Sequence, residues 1–94
     1  MQLMNIVEFT KIRKALRKLP SHIVSKLRFW AQDVETYGIL QIRKLPGYHD
    51  EPLKGKRKGQ RSIRLSRSYR AIYTESKKGE IHLITIEEVS KHEY

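Results

Sequence analysis

A strongly basic stretch that is also rich in strand-forming residues limits what this chain can fold into more than any other feature. Between positions 54 and 70 the chain contains eight lysines and arginines and no acidic residue. Apolar and aromatic side chains lie among these cations, which is typical of strands rather than of a disordered charged arm. The pattern therefore predicts a basic loop that leads into a basic β-hairpin, with apolar positions at Ile63, Leu65, Tyr69, Ile72 and Tyr73.

The overall charge indicates the kind of partner that such a hairpin suits. The 94 residues have a formal net charge of +10, so a polyanion is expected, with nucleic acid ahead of an acidic protein.

The lack of cysteine excludes disulfides, thiolate metal sites and a cysteine nucleophile. No apolar run is long enough for a membrane span and the first residues lack the order of a signal peptide. One cytoplasmic domain over residues 1–94, with no membrane partner, is therefore expected.

The first half of the chain predicts a strand followed by two helices. Residues 5–9 have the composition of a short strand, and Thr10 is placed to cap the helix that follows. Pro20 ends that helix and Ser21 is placed to cap the next, while Gly38 is a natural stop. Apolar residues recur at helical spacing in both segments: Ile12, Ala15, Leu16 and Leu19 in the first, and Ile23, Leu27, Trp30, Ala31 and Val34 in the second.

The second half predicts an antiparallel meander. Residues 39–59 read mostly as loop, apart from a possible extra helical turn at their start, with Pro46-Gly47 as a firm break. Three strands are predicted over residues 60–66, 69–74 and 81–86, joined by short turns, and residues 87–94 form a tail beside them. The expected fold is α+β: an N-terminal strand, a two-helix hairpin, then a three-stranded meander whose second face is left for function.

The sequence lacks known catalytic motifs, which narrows the range of reactions that the chain could catalyse. The sequence has no HExxH motif, no phosphate-binding loop and no dinucleotide fingerprint, and residues 49–51 are interpreted as a solvated turn rather than a metal site. Cations and a few proton-transfer groups remain: Lys54, Arg64 and Arg70 are expected to converge, with His92 and Tyr94 closing the chain beside them.

That set of groups suits metal-free cleavage of RNA, with no cofactor. Attack of a 2′-OH on the adjacent phosphate needs a base, positive charge for the pentavalent phosphate, and an acid for the leaving oxygen. Arginine bonds two phosphate oxygens at once, and histidine titrates near neutral pH. The structural alternatives are that Arg64 and Arg70 are solvated strand cations, that Tyr73 belongs to the core, and that His92 is an ordinary tail residue.

Three segments of the sequence resemble the bacterial RelE/ParE toxin superfamily, in particular its HigB- and RelE-like members. These are PLKG at residues 52–55, S-I-R-L…Y-R-x-I-Y at residues 62–73, and V-x-K-H-E-Y at residues 89–94. The resemblance spans essentially the whole chain and implies a RelE-like, microbial-ribonuclease-like α+β fold. The chain departs from the pattern in two places. Asp50 and Glu51 separate His49 from the PLKG loop, and Ser62 stands where some RelE members have a lysine.

The resemblance also implies a function. Many members cleave mRNA in the ribosomal A site without metal, and a cognate antitoxin protein neutralises them. Carried over by position, the implied catalytic set is Lys54, Arg64, Arg70, His92 and Tyr94, with base and acid left open. The RNA-binding set is His49, Lys56, Arg57, Lys58, Arg61 and Arg67. Two rival hypotheses stay open: a ParE-like inhibitor of DNA gyrase without nuclease activity, and a plain nucleic-acid-binding module.

Overall fold

A five-stranded mixed sheet with helices on one face makes up residues 4–91, the part of the chain that this computed structural model describes. The α-helices are α1 (Arg13–Leu16), α2 (Ser21–Tyr37) and α3 (Ile39–Ile42). The strands are β1 (Met4–Glu8), β2 (Glu51–Pro52), β3 (Arg61–Arg64), β4 (Tyr69–Lys78) and β5 (Ile81–Lys91). Short 3₁₀ turns lie at Thr10–Ile12, Pro46–Tyr48 and Gly55–Arg57. No helix in this part of the chain is both long and apolar enough to span a membrane.

The sheet confirms the predicted α+β class and extends the predicted meander. Its strand order is β1-β5-β4-β3-β2, with β1 parallel to β5 and the other pairs antiparallel. The predicted limits of the second and third strands were too short, because β4 continues through exposed polar residues to Lys78 and β5 continues to Lys91. Backbone pairing with β5 maintains the β4 extension, where side-chain burial, the signal read from the sequence, is missing.

Both predicted helix caps are wrong. The first helical segment begins as a 3₁₀ turn, and the Thr10 hydroxyl donates to Glu8 Oε1 at 3.1 Å instead of accepting a backbone N–H. Ser21 is the first residue of α2, and neither it nor Pro20 makes a side-chain cap. The predicted stop is confirmed, since Gly38 has a φ of 89° and its N–H bonds to the Val34 carbonyl at 2.8 Å.

The core lies between α2 and one face of the sheet. Ile23, Leu27 and Val34 of α2 are fully buried, as are Ile63, Ile84 and Ile86 of the strands, and each such side chain contributes roughly 1.5–3 kcal/mol. Trp30 of α2 packs on Tyr73 of β4 with ring centroids 5.4 Å apart, which confirms Tyr73 as a core residue. We call the sheet face opposite this core the open face.

Candidate nucleic-acid interface

Strand alternation divides the basic stretch between the two faces of the sheet. In the β3–β4 ladder, Arg61 is opposite Tyr73, Ser62 opposite Ile72, Ile63 opposite Ala71 and Arg64 opposite Arg70. Residues directly opposite in an antiparallel ladder share a face, and successive residues alternate. Because Tyr73 and Ile63 lie in the core, Arg61 lies on the core face, while Ser62, Arg64 and Arg70 lie on the open face.

Arg64 and Arg70 form a pair of like charges across the two strands. Their register predicts Cβ atoms about 5 Å apart, a spacing at which two cations repel each other. Within residues 4–91, Arg64 has no hydrogen bond or ion pair from its side chain, and Arg70 contacts one carboxylate, that of the exposed Glu51. An anion bound between the two guanidinium groups would relieve this repulsion, which is the arrangement expected of a phosphate site.

Arg70 is held in place before any ligand binds. Its Nε donates to the hydroxyl of Ser62 at 2.5 Å, and its Nη2 donates to the His49 carbonyl at 3.3 Å and to Glu51 Oε1 at 3.4 Å. Its side chain is 17% exposed and Ser62 is 3% exposed. Ser62, the position where some RelE members have a lysine, therefore orients an arginine in this chain.

The last described residues lie beside this pair. In the β4–β5 ladder, Ser90 is opposite Arg70 and Lys91 is opposite Tyr69. The predicted proton-transfer residues His92 and Tyr94 lie outside the described residues, so their roles stay predictions.

Lys54 of the predicted catalytic set and the cations of the predicted RNA-binding set differ in how much of their charge is available. Lys54, Lys56, Lys58 and Arg67 are exposed and have no ion pair within the described part of the chain. Arg57 is bound to Glu88 of β5 at 2.6 Å and to Gln60 at 3.1 Å, which ties the loop before β3 to the sheet.

Residues 49–51 are not the solvated turn that the sequence predicted. His49 and Glu51 are exposed, but the Asp50 side chain is only 1% exposed. Asp50 Oδ1 accepts from Arg61 Nε at 2.6 Å and Oδ2 accepts from the Tyr73 hydroxyl at 2.5 Å. Burial of a carboxylate requires such partners, since an unpaired one would lose its hydration without compensation.

This carboxylate belongs to a polar network on the core face that sequence reasoning missed. Arg43 Nη2 donates to the Tyr73 hydroxyl at 3.2 Å and to Glu75 at 2.7 Å, and His82 Nε2 lies 3.0 Å from the same Glu75 oxygen. His82 is buried. No periodic signal indicates the network, because its members come from an irregular segment and three strands.

The network shifts the pKa of the Tyr73 hydroxyl. Burial, and then the hydrogen bond to Asp50, raise the pKa of the Tyr73 hydroxyl above its ordinary value. Burial by itself would lower the pKa of Arg43, but its bonds to Tyr73 and Glu75 raise it on balance. Tyr73 is therefore a proton donor to Asp50 throughout the physiological pH range, and Arg43 stays charged. In residues 4–91, no three histidine or acidic side chains converge as metal ligands would.

Comparison with known proteins places this architecture among bacterial toxins. No protein-family model matches the sequence, and no curated protein matches it. Among solved structures, the RelBE2 toxin–antitoxin complex from Mycobacterium tuberculosis contains a chain that is 25% identical (TM-score 0.65, 93% of this chain and 96% of that one). E. coli YafQ is 22% identical (TM-score 0.66, 96% and 93%).

A third neighbour extends the same likeness over full length. The YoeB/ParE toxin from Agrobacterium tumefaciens is 17% identical, with a TM-score of 0.63 over 99% of this chain and 100% of that one. The structural neighbours are thus RelE, YoeB and YafQ toxins of toxin–antitoxin systems, and this chain has the fold of the RelE/ParE toxin superfamily that the sequence predicted.

Proposed function

We propose that this protein is the toxin of a type II toxin–antitoxin pair, a ribosome-dependent endoribonuclease that cleaves mRNA in the ribosomal A site. The observation that supports this most is the Arg64–Arg70 pair on the open face, next to the strand that leads to His92 and Tyr94. A fold alone does not give a function, so the proposal depends on this site rather than on the structural neighbours.

In the proposed reaction the chain's own residues supply charge and proton transfer. Arg64 and Arg70 hold the non-bridging oxygens of the scissile phosphate and stabilise the extra negative charge of the pentavalent state. Lys54 adds charge from the loop. The 2′-oxygen bonds to phosphorus and gives its proton to a base, while the bond to the 5′-oxygen breaks and an acid protonates that oxygen. His92 and Tyr94 are the proposed base and acid, in either order.

The remaining exposed cations suit binding to the proposed macromolecular partners, the ribosome and an antitoxin. Lys56, Lys58 and Arg67 would contact ribosomal RNA through salt-dependent phosphate contacts. The open face would also attract an acidic segment of a cognate antitoxin, which would place this protein in the bacterial cytoplasm with its target. Structural neighbours that were solved as toxin–antitoxin complexes include RelBE2 and DinJ with YafQ.

Primer extension on an mRNA in a reconstituted translation system tests the proposal. We expect wild type to cut at A-site positions only when ribosomes are present, with Arg70→Ala and His92→Ala each reducing cleavage by about 100-fold or more. Arg28→Ala is the matched control, because Arg28 is an exposed cation on α2, outside the site, and it should cleave like wild type. Absence of cleavage by wild type with intact ribosomes would refute the nuclease, and a gyrase supercoiling assay would then test the ParE-like alternative.

A further inference from the structure

Residues 49–51 connect the core-face network to the open-face arginine pair. They run into β2, one of the two edge strands of the described sheet, where Glu51 pairs with Ser62. The Asp50 side chain is buried on the core face between Arg61 and Tyr73, whereas the His49 carbonyl and the Glu51 carboxylate both contact Arg70 on the open face. One short segment thus contacts both faces of the sheet at its edge.

The backbone of this segment is held in an unfavourable conformation. His49 has a φ of 46° and a ψ of 48°, and it is the one described non-glycine residue with a positive φ. Such a conformation persists only where neighbouring contacts impose it. The His49 N–H bonds to the Pro46 carbonyl at 3.1 Å on one side, and on the other side Asp50 follows directly with both carboxylate oxygens bonded to the strands. Asp50 is therefore an anchor that helps to impose this conformation.

We propose that Asp50 is a positioning residue for Arg70. It fixes residues 49–51 against the sheet edge, so that the His49 carbonyl and Ser62 together hold the guanidinium on the open face. Asp50 does not touch the proposed substrate, and its effect passes through the backbone of His49. The catalytic part of this inference rests on the proposed nuclease, whereas the positioning of Arg70 does not.

Two variants separate this role from general stability. Asp50→Asn keeps the side-chain size but removes the charge that faces Arg61, and Tyr73→Phe removes only the hydroxyl that donates to Asp50 while keeping the ring that packs on Trp30. Val34→Ala is the control, because Val34 is fully buried in α2 and makes no part of the network. If Asp50→Asn does not fold, Tyr73→Phe still tests the proposal.

The first readout is the Arg70 Nε–Hε signal in a nitrogen–proton NMR spectrum, assigned by its loss in Arg70→Lys. We expect slow exchange with water in wild type and in Val34→Ala, because Ser62 accepts this proton while the His49 carbonyl holds the same guanidinium through Nη2. Exchange should be faster in Asp50→Asn and Tyr73→Phe, because a displaced His49 would leave the guanidinium held by Ser62 alone. Unchanged exchange in both network variants would overturn the proposal, and so would equally faster exchange in Val34→Ala. This readout needs no enzymatic activity, so it decides the positioning of Arg70 even if wild type cleaves nothing.

The second readout is cleavage as a function of ribosome concentration. We expect Asp50→Asn to lower the maximal rate by about tenfold to 100-fold while the half-saturating ribosome concentration changes by less than about twofold. Such a split is expected if a displaced Arg70 impairs the chemical step but leaves the ribosome-binding surface intact. An equal fall for Val34→Ala, or a change in half-saturation alone, would contradict the proposal.

Discussion

Arg61 and Arg64 are three residues apart on the same strand, yet they lie on opposite faces of the sheet with different surroundings. Arg61 is bonded to a buried carboxylate and its side chain is 21% exposed. Arg64 faces Arg70 across the ladder and has no ion pair within the described residues. Two arginines from one basic run therefore differ in what they can do: the charge of Arg61 is neutralised inside the fold, and that of Arg64 is available to a ligand.

The comparison shows why a count of cations overstates a binding surface. Arg57 and Arg61 are both in the predicted RNA-binding set, and both are bonded to carboxylates of the protein itself. We expect Arg61 to contribute less to phosphate binding than the exposed lysines of the preceding loop, because a phosphate would have to compete with the buried Asp50. Arg57 and Glu88 are 49% and 41% exposed, so Glu88 competes only weakly for Arg57. For Arg61 and Arg64, the face of the sheet on which each side chain lies determines whether its charge is available, and their places in the basic stretch do not reveal this.

The largest expected effect is on stability, and it concerns Asp50, the core-face partner of Arg61. Asp50→Ala should lower the free energy of unfolding by about 3–5 kcal/mol, because Arg61 and Arg43 would lose the carboxylate between them. Arg64→Ala should change it by less than about 0.5 kcal/mol. Urea unfolding monitored by circular dichroism measures both values. Similar losses in the two variants would remove the distinction that the two faces suggest.

The second prediction concerns RNA binding, where we expect a larger effect on the open face, at Arg64, than on the core face, at Arg61. Arg64→Ala should make the negative slope of log affinity against log salt shallower by about 0.7 for a single-stranded RNA, because one phosphate contact is lost. Arg61→Gln should leave that slope unchanged, since Arg61 is bonded to Asp50. Fluorescence anisotropy at several salt concentrations measures the slopes. A loss of slope in Arg61→Gln would mean that Arg61 leaves Asp50 to bind phosphate.

The sequence predicted the structure well where the residues of a single helix or hairpin produce a recognisable pattern. The apolar repeat of α2 predicted its buried face, including Trp30, and Gly38 marked its end. Residues 60–74 predicted a hairpin, and the short turn between its strands brings Arg64 and Arg70 together. In each case the signal comes from neighbours within about ten residues along the chain, where periodicity and turn chemistry are strongest.

The sequence did not predict the burial and contacts of residues whose neighbours come from distant segments of the chain. Asp50 lies in an irregular stretch, so nothing local distinguishes a buried carboxylate from a solvated one, and its partner Tyr73 is 23 residues away. Tyr48 is buried for the same kind of reason, in a 3₁₀ turn without periodicity. Ser62 gave no sign that its hydroxyl orients Arg70, because that contact depends on strand register.

The third prediction concerns the pH range over which the network stabilises the fold. Tyr73→Phe should cost about 1–3 kcal/mol at neutral pH, because Asp50 and Arg43 lose a partner. The pKa of Tyr73 is raised in the folded state, so its contribution is complete below the ordinary tyrosine pKa and decreases as the pH rises above about 10. The difference between wild type and variant in urea unfolding should therefore shrink at alkaline pH. A constant difference would mean that Tyr73 ionises normally.

The smallest expected effect is that of the Lys11–Glu87 ion pair at the surface, which contrasts with the buried Arg61–Asp50 pair. Glu87 of β5 accepts from Lys11 at 2.7 Å and from Thr74 at 2.8 Å, and these bonds lower its pKa. A lowered pKa stabilises the fold above the ordinary glutamate value and is lost as the pH falls through the folded value. Glu87→Gln should therefore cost less than about 1 kcal/mol at pH 7 and almost nothing near pH 3, since Lys11 is mostly exposed. Urea unfolding at both pH values measures this, with Glu8→Gln as the control at a second surface carboxylate. A cost as large as that of Asp50→Ala would show that burial does not distinguish the two carboxylates.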